Sequence, residues 1–243
     1  MPRERTFARR LLISADATGY GRRGDRGQAR LQRGLLKVLG EAAERAGLHR
    51  AAWDRQVAGD GELAVLPDSE PEPRVVDGYV RQLAAALRRH NRGVSGDVRV
   101  RLRLAIHHGT AVRGAESYDG RGVVEVTRLC DSAPLRTALR ESGSDLAVIL
   151  SGRVFHDVVG GEYTLWRPSD FRKVRVGVKE LTTEAFLLVP GHDVHSLDLA
   201  ADMPSSPASE RRPGAADTPV VQNNFYDRVD ASDATFGIGA SRR

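Results

Sequence analysis

The apolar positions of this chain change period several times along its length, and each change predicts an element. Residues 7–15 form a short apolar run that ends at Asp16 and reads as a strand. The stretch Ala17-Thr18-Gly19-Tyr20-Gly21-Arg22-Arg23-Gly24 is too rich in glycine for a helix and predicts a tight loop. Over residues 28–48, Leu31, Leu35, Val38, Leu39, Ala42 and Ala46 recur at helical spacing, and Gly47 suits the helix stop. Residues 52–57 and 62–66 can pair as strands around Gly59-Asp60-Gly61. The proline-broken, acidic stretch 67–73 predicts a loop, and residues 74–90 a second helix with Val76, Tyr79, Val80, Leu83 and Leu87 on one face.

Residues 98–106 alternate cleanly, with Val98, Val100, Leu102, Leu104 and Ile106 on one side and Arg99, Arg101 and Arg103 on the other. That arginine stripe reads as a solvated strand face or a surface for an acidic partner. A helical stretch over 123–142 is followed by a strand at 145–150 and a short helix at 151–159. Three further strand-like pieces fall at 161–166, 173–178 and 184–189. Helices and strands alternate but hairpins intervene, which favours α+β over a doubly wound parallel sheet. After His195 the pattern stops: residues 201–219 are rich in Pro, Ser and Ala and predict a disordered linker. Residues 220–243 regain scattered apolar positions and predict a short tail that docks on a protein partner. The structured domain is therefore expected over residues 1–200.

Composition narrows the classes. A chain of 243 residues has enough length for a proper core, and its single cysteine excludes an internal disulfide or a cysteine-rich zinc site. No run of 18 apolar residues exists, so no membrane span is expected, and a reducing, cytoplasmic setting is the default. The formal net charge of +5 suggests nucleic acid, but aromatics at 5% offer few stacking platforms, so that partner is disfavoured. Residues 1–30 carry eight arginines against Glu4, Asp16 and Asp25, which accounts for the whole excess. The charge points to an anionic partner near the N-terminus.

Two carboxylates sit where strands meet glycine-bearing turns, Asp16 and Asp60. A hard cation such as Mg²⁺ (or Mn²⁺) is typically held by one or two carboxylates, with waters and substrate phosphates completing its shell. Taken singly, an aspartate in a glycine turn is more often a turn former. His107 and His108 at a strand end, and His192 and His195 in a loop, read first as structural or exposed residues, and Cys130 as a small buried hydrophobe.

The order strand, Asp, loop, long helix, Gly-Asp hairpin, helix, strand and Ile-His-His-Gly resembles the class III nucleotidyl cyclase catalytic domain. Ala15-Asp16-Ala17-Thr18-Gly19-Tyr20 is similar to that family's first metal phrase, Gly59-Asp60 to its second, and Ala105-Ile106-His107-His108-Gly109 to its Ile-x-x-Gly strand end. Val178-Lys179-Glu180-Leu181 stands where a Lys-bearing phrase precedes the last strand. The resemblance implies a ferredoxin-like βαββαβ core with extra C-terminal strands. It also implies two Mg²⁺ on Asp16 and Asp60, a nucleoside triphosphate substrate, and phosphates cradled by the amides of Ala17, Thr18, Gly19 and Tyr20. Arg128 and Lys179 are implied to stabilise the transition state, and Gln56, with Asp119 or Ser117, to read the base. The product would be a 3′,5′-cyclic nucleotide, formed in signalling or phage defence at a site completed across a homodimer. Val124 stands where the family carries a ribose-orienting Asn. The alternative is a non-catalytic cyclase-homology module that senses nucleotide or provides a dimerisation platform.

Overall fold

The computed structural model describes residues 7–94, 99–114, 118–178 and 181–199. Strand β1 (Phe7–Ala17) leads through a 3₁₀ turn (Tyr20–Arg22) into helix α1 (Asp25–Arg45). The hairpin β2 (Asp54–Ala58) and β3 (Gly61–Val65) follows, then α2 (Glu72–Arg74), a π turn (Val75–Tyr79) and α3 (Val80–His90). Strand β4 (Leu102–Arg113) and the short β5 (Tyr118–Asp119) precede α4 (Arg121–Cys130) and α5 (Ala133–Ser142). The last elements are β6 (Leu146–Ser151), α6 (Gly152–Val154), a second π turn (Phe155–Val159), β7 (Arg172–Val178) and β8 (Leu181–Leu188).

The strands form one mixed sheet in the order β2-β3-β1-β4-β6-β8-β7, with β5 paired to β4. Among the described strands only β4 and β6 run parallel, and the crossover of a dozen or more residues that such a pair needs is supplied by α4 and α5. β6 is buried at all six positions, as expected for a strand covered on both faces. One face carries the larger core, in which Leu31, Leu35 and Leu39 of α1 and Leu83 and Leu87 of α3 pack against Ile13, Leu102, Leu104 and Ile106. On the other face Val126, Leu129, Leu135 and Leu139 of α4 and α5 cover Ala105, Ala147 and Ile149. Fully burying one leucine contributes roughly 1.5–3 kcal/mol, so the α1 stripe is a large part of what holds that helix to the sheet.

The α+β class and the core order read from sequence match the structure, with four local corrections. The alternation read as strand 98–106 belongs to a strand that starts at Leu102 and runs on to Arg113, while Val98 lies outside the described residues. Helix 123–142 is two helices: Ser132 takes an extended conformation and Pro134 sits in the first turn of α5, where its missing N–H costs nothing. Residues 161–166 form turns and bends, with Tyr163 and Leu165 exposed. The arginine stripe is solvated only in part: Arg99 is exposed, whereas Arg101 and Arg103 are drawn into the fold. Arg99 pairs with Asp145 at 2.6 Å, Arg101 donates to the carbonyls of Ser144 (2.9 Å) and Leu139, and Arg103 turns inward.

Candidate functional site

At the end of β1 the chain brings Asp16 beside two elements. Asp16 is the register partner of Gly61 on β3 and of Arg103 on β4. The β2–β3 turn is two residues long, and Gly59 adopts φ +54°, a left-handed conformation that glycine takes without the Cβ penalty. The turn presents Asp60 on the same side as Asp16. A cleft of about 460 Å³ opens there, lined by Asp16, Gln56, Asp60 and Arg103, with Thr127, Cys130 and Asp131 from the end of α4.

Arg103 governs the electrostatics. Its Nε and Nη2 donate to the same Asp16 oxygen, Oδ2, at 3.0 and 2.5 Å, and its Nη1 donates to Asp131 Oδ1 at 3.2 Å. Asp131 in turn accepts from Arg136 at 2.7 Å. Burial pushes the Asp16 carboxyl above its ordinary range despite Arg103, and the charges of Asp60 and Asp131 push it the same way. Carboxylates crowded in one cleft favour a cation between them. Asp16 and Asp60 therefore fit a divalent ion that keeps waters and substrate oxygens in its shell. Glu62 also lines the cleft, but its two oxygens accept from Arg50 at 2.7 and 2.6 Å. Among the described residues no group of three or more His, Cys, Asp or Glu is arranged to hold a metal ion.

The loop after Asp16 is tied to the fold. The Ala17 amide donates to the Asp60 carbonyl at 2.8 Å and the Thr18 amide to the Arg101 carbonyl at 2.9 Å. A cradle built from all four amides of residues 17–20 is thereby narrowed to Gly19 and Tyr20 in this conformation. Gly19 adopts φ +85°, and the Tyr20 ring lies within 4 Å of where a Cβ on Gly59 would stand, so loop and hairpin meet.

The remaining sequence candidates separate. Gln56 lines the cleft. Arg128 is half-buried on α4, and Asp119 is exposed on β5; neither lines it. Asp119 neighbours a second depression of about 450 Å³ whose polar groups pair with one another: Tyr118 donates to Asp54 at 2.6 Å, and Arg10 to Asp68 at 2.5 Å. Ser117 and Lys179 lie outside the described residues. The Cys130 thiol is pushed up to about 12 by burial, which makes it a poor nucleophile. His107 is buried, with Nε2 3.1 Å from Glu125, and burial holds its pKa below 6.5. His195 lies 3.1 Å from the Ser169 carbonyl.

Sequence reasoning missed Arg103 and Asp131. Alternation along β4 put Arg103 opposite the core, and only the β1–β4 register reveals that this side faces Asp16.

No protein-family model matches the chain, and no curated relative matches it. Solved structures do. The chain is similar to an adenylate/guanylate cyclase/hydrolase from Silicibacter pomeroyi (TM-score 0.55, 18% identity, 77% of this chain and 99% of that one). It is similar to the adenylyl cyclase CyaB from P. aeruginosa (0.53, 14%, 78% and 97%) and to the guanylyl cyclase Cya2 (0.53, 15%, 81% and 99%). The fold is that of class III adenylate/guanylate cyclase catalytic domains.

Proposed function

We propose that this chain binds a nucleoside triphosphate with Mg²⁺ or Mn²⁺ and converts it to a 3′,5′-cyclic nucleotide and pyrophosphate. The observation that carries this reading is the meeting of Asp16, Asp60 and Arg103 in one cleft of a cyclase fold. Asp16 and Asp60 would hold two such ions, which when bound would lower the pKa of the ribose 3′-hydroxyl and neutralise the triphosphate. Arg103 offers its guanidinium to phosphate oxygens, and the Gly19 and Tyr20 amides add neutral donors. Gln56 stands in the cleft where it can meet the base. In-line attack by the 3′-oxygen on the α-phosphorus expels pyrophosphate.

Arg128 and Asp119, outside the cleft of their own chain, would act from a second copy in a homodimer, and Lys179 would add a further cation. We also propose, from the sequence alone, that residues 201–219 serve as a linker and residues 220–243 as a tail that docks a protein partner. No helix among the described residues is long and apolar enough to cross a membrane.

One observation favours the non-catalytic alternative. Val124 is 45% exposed and supplies no hydrogen-bonding group where the resemblance calls for an asparagine. Incubating the protein with each of the four NTPs and Mn²⁺ decides between the two. Cyclic product that disappears in Asp16→Ala and Asp60→Ala supports the enzyme. Metal-dependent NTP binding without product supports the sensor, and strongly salt-dependent RNA or DNA binding that ignores both substitutions would sink both readings.

A further inference from the structure

Arg103 and a metal ion compete for the same carboxylate. The guanidinium holds Asp16 Oδ2 through two nitrogens, at 3.0 and 2.5 Å, and its side chain is only 13% exposed. A guanidinium this far from water stays there only with an anionic partner. Among the described residues its one other carboxylate partner is Asp131, 64% exposed, at 3.2 Å and already shared with Arg136. An ion that takes Asp16 therefore puts a second cation beside Arg103 and removes its better partner. The nearest space for a compensating anion is the cleft that Arg103 itself lines.

We propose that Arg103 is a latch on Asp16: it shields the carboxylate from metal until the phosphates of a nucleotide accept the guanidinium. This rests on the metal role of Asp16 proposed above and adds a coupling between metal and polyphosphate. Metal and nucleotide raise each other's affinity by the same factor, as linkage requires, and such couplings are commonly about 5–150-fold. The exchange of Arg103 from Asp16 to phosphate makes loading concerted, so the nucleotide-free protein holds metal weakly.

The test reads Mn²⁺ binding to the full chain without nucleotide, by loss of the free-ion EPR signal. Arg103→Gln is expected to tighten Mn²⁺ binding about tenfold. Arg136→Gln, which removes an equal charge one ion pair further away, is expected to change it less than about twofold. Asp131→Asn, at a position 64% exposed, confines the guanidinium to Asp16 and is expected to weaken Mn²⁺ binding at least about threefold. Those opposite shifts support the latch. Equal effects of Arg103→Gln and Arg136→Gln overturn it, as does an unchanged affinity in Asp131→Asn; both leave the metal role of Asp16 standing. Mn²⁺ binding that Asp16→Asn does not alter overturns that role and the latch with it.

Discussion

Gly122 on α4 rests directly on the backbone of Gly109 on β4. A Cβ at Gly122 would lie 2.7 Å from the Gly109 carbonyl carbon and 2.7 Å from the Thr110 amide nitrogen. A Cβ at Gly109 would in turn meet Gly122 Cα at 2.8 Å. This contact sets how closely α4 approaches the sheet, and α4 carries the Thr127, Cys130 and Asp131 side of the cleft.

Gly122→Ala is accordingly expected to destabilise the fold by about 1–3 kcal/mol, the usual cost of overpacking, because backbone atoms cannot move aside as a flexible side chain would. Urea denaturation checks this: the midpoint should fall while the m-value holds. An unchanged midpoint would mean that α4 shifts without cost.

The Arg50–Glu62 pair holds the β2–β3 hairpin to the segment before it, with side chains 11% and 3% exposed and contacts of 2.7 and 2.6 Å. Removing one partner strands the other in a buried position. Glu62→Gln is expected to cost about 3–5 kcal/mol, read as a lower denaturation midpoint. A change below about 1 kcal/mol, the level of an exposed pair, would contradict it.

His107 gives a pH dependence with a definite sign. It is buried between β4 and α4, faces Glu125, and stands near His108, Arg9 of β1 and Arg153 of α6. Burial depresses its folded pKa, and the repulsion of His108 and the two arginines adds to that against the pull of Glu125. Between that folded value and the ordinary 6.5 the unfolded chain binds the extra proton, so stability is full above about 6.5 and falls as pH drops through the window. Stability measured from pH 8 to pH 5 should decline on the acid side, and His107→Gln should flatten that decline. A variant with the wild-type slope would assign the effect elsewhere.

Metal binding at Asp16 carries its own pH limit. Its carboxyl is raised by burial, so protons begin to compete with Mn²⁺ at a higher pH than at an ordinary carboxylate. Mn²⁺ affinity should therefore begin to fall, as the pH is lowered, earlier than at an ordinary carboxylate, and Asp16→Asn should abolish both the binding and its pH dependence. Calorimetric titration at several pH values measures this.

Deleting residues 220–243 is expected to leave the melting temperature within a few degrees of the full chain. Both hydrophobic clusters of the described residues are built from positions up to Leu199. A large drop would show that the tail contributes to the folded core.

The sequence alone determined the elements whose signal is local. The 3.6-residue period of Leu31, Leu35, Val38 and Leu39 defined α1, and glycines at the hairpin placed Asp60 in a turn. The Ala-Asp-x-x-Gly-Tyr and Gly-Asp phrases, in that order, carried the fold class. The partnership of groups far apart in the chain emerges only when the strands pair. Arg103 and Asp16 are separated by 87 positions and meet because β1 and β4 pair in one register. Periodicity reports which side of a strand a residue takes, but says nothing of which charge stands opposite. For that physical reason the arginine stripe looked solvated in the sequence, and in the fold it ties the sheet to its loops and latches the candidate metal carboxylate.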